Sequence, residues 1–340
     1  MSSSTGISIG SGGLDDSYGR VATDLRVSLT DRCNLRCSYC MPAEGLDWLP
    51  TEETLTDDEV VRLVRIGVER LGITAVRFTG GEPLLRKGLV DVVRRTKALQ
   101  PTPEVSLTTN ALGLGRVAGA LREAGLDRVN VSLDTVRREV FARITLRDWF
   151  DDVSSGLEAA RAAGLEPVKV NAVLLRGVND DQAPELLRWC LEHGYHLRFI
   201  EQMPLDPQHG WMRSTMVTAE EILGSLEREF VLTEAQEPRG SQPAEEFLVD
   251  GGPLTVGVIA SVTRPFCGDC DRVRLTADGQ IRNCLFAREE SDLRGALRTG
   301  ADDEEIARRW RAAMATKLPG HGIDDPTFLQ PTRPMSAIGG

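Results

Sequence analysis

From Asp24 onward the chain alternates short β-branched runs with stretches in which apolar residues recur at three- and four-residue spacing. The runs cover residues 25–30, 73–79, 104–109, 128–134, 167–173 and 196–201. The periodic stretches cover 57–71, 88–99, 116–124, 153–163 and 183–193, and predict amphipathic helices. Thr56 followed by Glu59 makes a capping box, and Gly72 and Gly164 stand where helices should stop. Strands alternating with helices predict a parallel sheet with helices on its outside. Six such units fall two short of a full eight-fold barrel. The expected fold is therefore α/β, a partial six-unit parallel β/α barrel, with a doubly wound open sheet as the alternative.

Beyond about Pro204 the rhythm changes. Residues 211–230 read as helical, short strands follow near 247–250, 255–260 and 273–276, and an Asp278-Gly279 turn leads into 281–284. This predicts a barrel over 21–205 and a smaller C-terminal α+β domain over 206–318. Residues 1–20 are Ser/Gly-rich and read as a flexible lead-in. Residues 319–340 are Pro/Gly-rich and read as a tail that forms no packed element. Polar residues gather where the strands end: residues 79–83, Thr108-Thr109-Asn110, Ser132 with Asp134, and Glu201-Gln202-Met203. Those carboxyl ends share one face, where α/β architectures carry their sites.

At 340 residues, 41% apolar and 27% charged, the chain has the composition of a globular protein with a substantial core. No window approaches the ~18 unbroken apolar residues of a membrane span, and the first twenty residues lack the basic start and apolar stretch of a secretion signal. Cytoplasmic residence is the expectation. A net charge of −11 argues against a general nucleic-acid or membrane binder, although it leaves room for one local basic pocket. Seven clustered cysteines suit a reducing compartment and metal ligation better than disulfides.

Three of those cysteines fall in "SLTDRCNLRCSYCMP", as Cys33-x₃-Cys37-x₂-Cys40 directly after the first strand. Thiolates are soft ligands for zinc or iron–sulfur clusters. A structural zinc site needs a fourth ligand, which only a distant residue such as Cys190 could supply. A [4Fe–4S] cube on three cysteines leaves one iron open. Cys267-x₂-Cys270-x₁₃-Cys284 is a second triple lacking one ligand, and zinc is a respectable local reading of it. Arg272 and Arg274 follow at once, two residues apart, so on a strand they share one face. Beside a metal they would receive an anion with several oxygens, such as a triphosphate. Arg26 and Arg77 sit inside otherwise apolar strands, where an inward cation needs an anionic partner.

The first cysteine pattern, with Tyr39 before its last cysteine and Gly80-Gly81-Glu82-Pro83 after the second strand, resembles the radical S-adenosylmethionine superfamily. The stretches "DLRVSLTDRCNLRCSYCMP", "VRFTGGEPLLR", "RVNVSLD", "RFIEQMP", "FCGDCDRVRLTADG" and the terminal "MSAIGG" are similar to the GTP 3′,8-cyclase family, which acts at the first step of molybdenum-cofactor biosynthesis. The resemblance runs from about Asp24 to the end.

It implies two [4Fe–4S] clusters facing one cavity. Cys33, Cys37 and Cys40 would ligate the first, which holds S-adenosylmethionine, with Tyr39, Gly81, Ser132 and Met203 around that cofactor. Cys267, Cys270 and Cys284 would ligate the second, whose open iron takes the guanine of GTP. Arg26, Arg77, Thr108, Lys169, Arg272 and Arg274 fall where the family contacts GTP, and Gly339 and Gly340 of the tail would assist the radical step. The resemblance further implies an electron donor, a hand-off of product to a cyclic pyranopterin monophosphate synthase, and a dimeric state in related enzymes.

Each residue also has a structural alternative. Ser132 and Thr108 could end strands, Met203 could fill core, and Lys169 and Arg77 could be surface charges. Cys190 reads as a small buried hydrophobe, and His196, Arg198 and Glu201 receive no role. Ala111 stands where the family often has Gly, which could disturb a left-handed turn.

A radical S-adenosylmethionine protein that modifies peptides would usually bring more cysteines. A zinc-stabilised binding module would carry zinc without iron and acid-labile sulfide.

Overall fold

The computed structural model describes residues 12–236 and 239–339. Six parallel strands form its centre: β1 (Asp24–Ser28), β2 (Ala75–Thr79), β3 (Glu104–Thr109), β4 (Arg128–Ser132), β5 (Lys169–Val173) and β6 (His196–Ile200), hydrogen-bonded in chain order. The intervening helices are α1 (Asp57–Leu71), α2 (Leu89–Lys97), α3 (Ala118–Glu123), α4 (Arg138–Thr145), α5 (Phe150–Ala162) and α6 (Ala183–His193). The sequence pattern marks all of these except α4. The Thr56/Glu59 capping box forms, and Gly72 and Gly164 both take left-handed geometry after their helices.

Alternation along the strands separates the two faces. Leu25, Val27, Val76, Phe78, Val105, Leu107, Val129, Val131, Val170, Ala172, Leu197 and Phe199 are buried in the main core. Their alternates (Arg26, Arg77, Ser106, Asn130, Asn171 and Arg198) therefore face the opposite side of the sheet. The outward face is greasy under helices, and the inner face is polar. A filled barrel would instead carry layers of branched apolar side chains there.

The C-terminal unit contains α7 (Ala219–Leu226), β7 (Leu232–Glu234), β8 (Glu245–Val249), β9 (Thr255–Ile259), β10 (Arg272–Leu275), β11 (Gln280–Arg282), β12 (Ser291–Asp292), α8 (Arg294–Arg298), α9 (Asp303–Ala315) and α10 (Met335–Ile338). It extends the barrel's sheet from both edges, with β9 parallel to β6 and β10 parallel to β1, in a twelve-stranded order β12-β11-β10-β1-β2-β3-β4-β5-β6-β9-β8-β7. Both edges of the half-barrel are thus hydrogen-bonded rather than exposed. This pairing brings Cys270, which precedes β10, beside the start of β1.

Three expectations need correction. Residues 12–20 are not loose: Leu14 is fully buried, and Arg20 binds the Cys267, Leu318 and Pro319 carbonyls. The rest of the expected lead-in lies outside the described residues. Residues 211–230 form one 3₁₀ turn and the short α7, because the Thr218/Glu221 capping box starts the helix late. The tail does form a packed element: Ile338 of α10 is fully buried with Leu205 and Phe286. Cys190 is a wholly buried core residue, as read from its helical spacing.

Ala111 takes the left-handed conformation, φ 64°, although it carries a β-carbon. That geometry costs roughly 1–2 kcal/mol for an L-residue, and it survives because Gly156 of α5 leaves room for the turn. A β-carbon at Gly156 would lie 2.4 Å from the Ala111 carbonyl oxygen. Gly156→Ala should therefore destabilise the fold by about 1–3 kcal/mol through overpacking. Urea unfolding of the two proteins measures this, and unchanged stability would contradict the packing described.

Candidate active site

Strand register builds a row of cations. Arg26 on β1 has Arg274 on one side and Arg77 on the other as Cα partners, and Arg77 pairs Ser106, which pairs Arg128. Residues paired this way project to the same face. Arg198 enters from β6, held by Asn171 Oδ1 at 3.0 Å and Asn130 Oδ1 at 2.8 Å. Asp24 lies 3.9 Å from both Arg26 and Arg77, too far for hydrogen bonds.

Burial, then the charge of Arg26, pulls Arg274 down to about 9, and burial likewise brings Arg198 to about 10. Among the described residues, the Nε atoms of Arg26 and Arg272 and Asp24 Oδ1 are buried without a hydrogen-bond partner. The cations exceed what Asp24 offers, so the lumen is built for an anion.

The first cysteine loop leaves β1 and is pinned from two sides. Arg36 and Ser38 donate backbone N–H groups to the Thr145 and Ile144 carbonyls at 2.9 Å each. From the other side, Gly81 N binds the Thr30 carbonyl at 2.7 Å and Glu82 N the Arg32 carbonyl at 2.8 Å. A β-carbon on Gly81 would sit 2.3 Å from the Arg32 oxygen, so only glycine permits this approach. The glycine pair is thus the surface against which the cysteine loop rests.

Glu82 is buried and accepts from Thr109 Oγ1, Asn110 N and Leu84 N at 2.7, 2.7 and 2.9 Å. Burial raises it to about 7 despite those donors. Asn110 Nδ2 lies 3.9 Å from Cys33 Sγ, and Tyr39 donates to Asp134 at 2.9 Å. Burial pushes Cys33 up to about 11 and Cys40 up to about 12. These thiols need a cationic partner before they lose their protons.

In the second triple burial raises Cys267 as well, but Cys270 sits in a different field. Burial raises the Cys270 thiol, but Arg272 and the ammonium of Lys317, 3.4 Å from its sulfur, outweigh that and lower it. Arg272 stacks over Phe266, 4.6 Å from the ring centroid. Among the described residues, no three His, Cys, Asp or Glu side chains are grouped to hold a single metal ion.

All six cysteines line one open-mouthed cavity with ≈ 2200 Å³ of empty space, solvent at its mouth included. Tyr39, Gly81, Ser132, Met203, Thr108, Arg26, Arg77, Arg272 and Arg274 line it too. Lys169 is not among the lining residues; it precedes lining Asn171 by two positions on β5, and burial lowers it to about 8. Gly339 reaches the strand ends: its carbonyl accepts from Arg274, and a β-carbon there would meet Thr79 Cγ2 at 2.8 Å. Gly340 lies outside the described residues.

The sequence reading missed Arg198, Asn171 and Lys317. Arg198 carried the same signal as Arg26 and Arg77, a cation between apolar strand neighbours. Lys317 carried none, because only folding brings it to Cys270.

Known proteins resemble this chain at the level of family and fold. The Radical SAM superfamily model matches residues 27–190, and the Molybdenum Cofactor Synthesis C model matches 195–323. The chain is similar to the GTP 3′,8-cyclase of Streptomyces coelicolor, 69% identical over 96% of each chain. It is likewise similar to the GTP 3′,8-cyclase of Mycolicibacterium smegmatis, 63% identical over 97% of this chain and 92% of the relative. Streptococcus suis SuiB bound to S-adenosylmethionine shares the fold at 14% identity, with a TM-score of 0.56 over 82% of this chain and 67% of that one.

Because Glu82 is raised on folding, its contribution to stability is full below its ordinary value near 4.5 and is lost as pH rises through about 7. In the metal-free protein, the thermal midpoint of wild type should fall more steeply between pH 4.5 and 7 than that of Glu82→Gln. Parallel curves from a calorimetric pH series would refute the assignment.

Proposed function

The chain belongs to the GTP 3′,8-cyclase family of radical S-adenosylmethionine proteins, and from that premise we propose that its cavity converts GTP to (8S)-3′,8-cyclo-7,8-dihydroguanosine 5′-triphosphate. Superfamily membership implies one [4Fe–4S] cluster and S-adenosylmethionine. The residues present fit that group. Cys33, Cys37 and Cys40 line one wall with thiols that need a positive centre.

When bound, the cluster and S-adenosylmethionine supply a carbon radical able to take hydrogen from an unactivated C–H bond. The chain's own residues supply the rest. Gly81, Ser132, Met203 and Tyr39 surround the cofactor on the first cysteine wall. On the second wall, Cys267, Cys270 and Cys284 would hold a second [4Fe–4S] cluster that receives guanine. Arg26, Arg77, Arg198, Arg272 and Arg274 offer guanidinium donors to the triphosphate, with Lys169 and Thr108 beside them. Holding both ends of GTP fixes the ribose between the walls, and positioning of this kind can supply several kcal/mol of a barrier. Gly339 lies at the same strand ends, where its carbonyl already engages Arg274.

The observation that carries this reading is the single cavity lined by both cysteine triples and the arginine row. Net closure removes one hydrogen from C3′ and returns one electron and one proton, so the product is isomeric with GTP. The deciding experiment incubates anaerobically reconstituted protein with S-adenosylmethionine, a strong reductant and GTP. A separable product of GTP's own mass is expected, and unchanged GTP would reject the proposal. The reading also includes an electron donor and hand-off of this reactive product to the following synthase. Among the described residues no helix is long and apolar enough to cross a membrane.

Arg272→Ala and Arg274→Ala should each weaken GTP binding roughly ten- to a hundredfold, the range of a charged hydrogen bond, ~1.5–3 kcal/mol. Iron content should not change. Equilibrium dialysis with parallel iron analysis checks both statements, and equal affinity would remove these arginines from the triphosphate site.

A further inference from the structure

Each cysteine of the second triple is tied to one segment that the sequence does not mark as part of the site. This strap runs from the last turn of α9 through Pro319. Arg20 joins the Cys267 carbonyl to those of Leu318 and Pro319, at 2.6, 2.6 and 3.0 Å respectively. Lys317 joins Cys270, donating to its carbonyl at 3.2 Å, its sulfur at 3.4 Å and the Arg272 carbonyl at 2.9 Å. Asn283, adjacent to Cys284, donates to the Ala313 carbonyl at 2.8 Å and to Thr316 Oγ1 at 3.0 Å. The strap itself is immobilised by α9, whose Trp310 and Met314 are buried in the main core.

Lys317 is the telling member. It is 3% exposed, and among the described residues none of its three hydrogen-bond partners is a carboxylate. Carbonyl oxygens solvate an ammonium without neutralising it, and a buried cation without a counter-charge is destabilising. Of its contacts, the Cys270 sulfur is the one that can carry negative charge. Lysine has three donors, and two carbonyls leave the third N–H for the sulfur.

We propose that Lys317 is a positioning residue for the second cluster, holding the Cys270 thiolate and setting the cluster's reduction potential. The inference rests on the second-cluster reading made above. A hydrogen bond and a positive charge at a ligand sulfur favour the more negative, reduced state of a cluster. Lys317 therefore makes the second cluster easier to reduce than it would be beside a neutral side chain. Arg20 and Asn283 act on the loop backbone and hold the geometry without this electrostatic effect on the sulfur.

The test uses the full chain with Cys33, Cys37 and Cys40 all changed to Ala, so that iron bound after reconstitution reports the second triple alone. If this protein holds no iron and sulfide, the second-cluster reading fails, and this inference falls with it. If it holds a [4Fe–4S] cluster, Lys317→Met and Lys317→Arg are introduced and potentials are read by titration with electron paramagnetic resonance. The expected result is a midpoint shifted to more negative potential in Lys317→Met, with Lys317→Arg staying near the parent. Loss of iron from the methionine variant alone, with its thermal midpoint retained, also supports the positioning role. A methionine variant with full iron and an unshifted midpoint overturns it.

Discussion

Arg26, Arg77, Arg198, Arg272 and Arg274 line the inside of a half-open barrel in which Asp24 approaches two of them without forming a hydrogen bond. Desolvated like charges repel, and each costs several kcal/mol unless an anion arrives. The rest of the structure can be understood as what makes that arrangement tolerable. The outer faces of the same strands form the main apolar core under α1–α6, so the fold's stability does not depend on filling the lumen. The lumen is thereby left free to be polar and charged.

Edge pairing supplies the second half of the cavity. Because β10 runs parallel to β1 in register, Arg274 stands beside Arg26 and the loop that carries Cys267 and Cys270 ends at the cation row. Because β9 pairs β6, the segment after β9 closes over the other side. Glu201 fastens that corner, accepting from the backbone of Ala219, Val262 and Thr263 at 2.7, 2.9 and 2.9 Å. A buried carboxylate with this many donors joins α7, β6 and the β9 exit into one unit. Its role is architectural, and through it the wall of the cavity is fixed.

Cys270 of the second triple stands in an electrostatic setting opposite to that of Cys33 and Cys40, whereas burial raises Cys267 as it raises them. Around the first, burial dominates, reinforced by Glu82 at Cys33 and by the Cys33 thiol and Asp134 at Cys40, so both thiols hold their protons until a cationic centre binds. Around the second, Arg272 and Lys317 already favour the Cys270 thiolate. The two loops thus differ in the charge beside one of their sulfurs, and charge placed there tunes what a thiolate-held metal group does. The tail packs beside the second triple: Ile338 sits in the small apolar cluster against which Cys284 and Met203 also rest.

Much of this was legible in the sequence for local reasons. Strand alternation, helix periodicity, the Thr56/Glu59 box and both cysteine spacings involve residues a few positions apart, where covalent geometry limits what neighbours can do. Arg26 and Arg77 stood out by the same logic, and Arg198 could have. Other features were decided only in three dimensions. The pairing of β10 with β1 and β9 with β6 joins segments up to two hundred and fifty residues apart, through backbone groups that every residue shares and that leave no mark on side-chain pattern. The anchoring of residues 12–20 by Arg20, the contact of Lys317 with Cys270 and the burial of Ile338 have the same origin. A short Pro/Gly-rich tail has no period to detect, and its order comes from a hydrophobic site formed by distant residues.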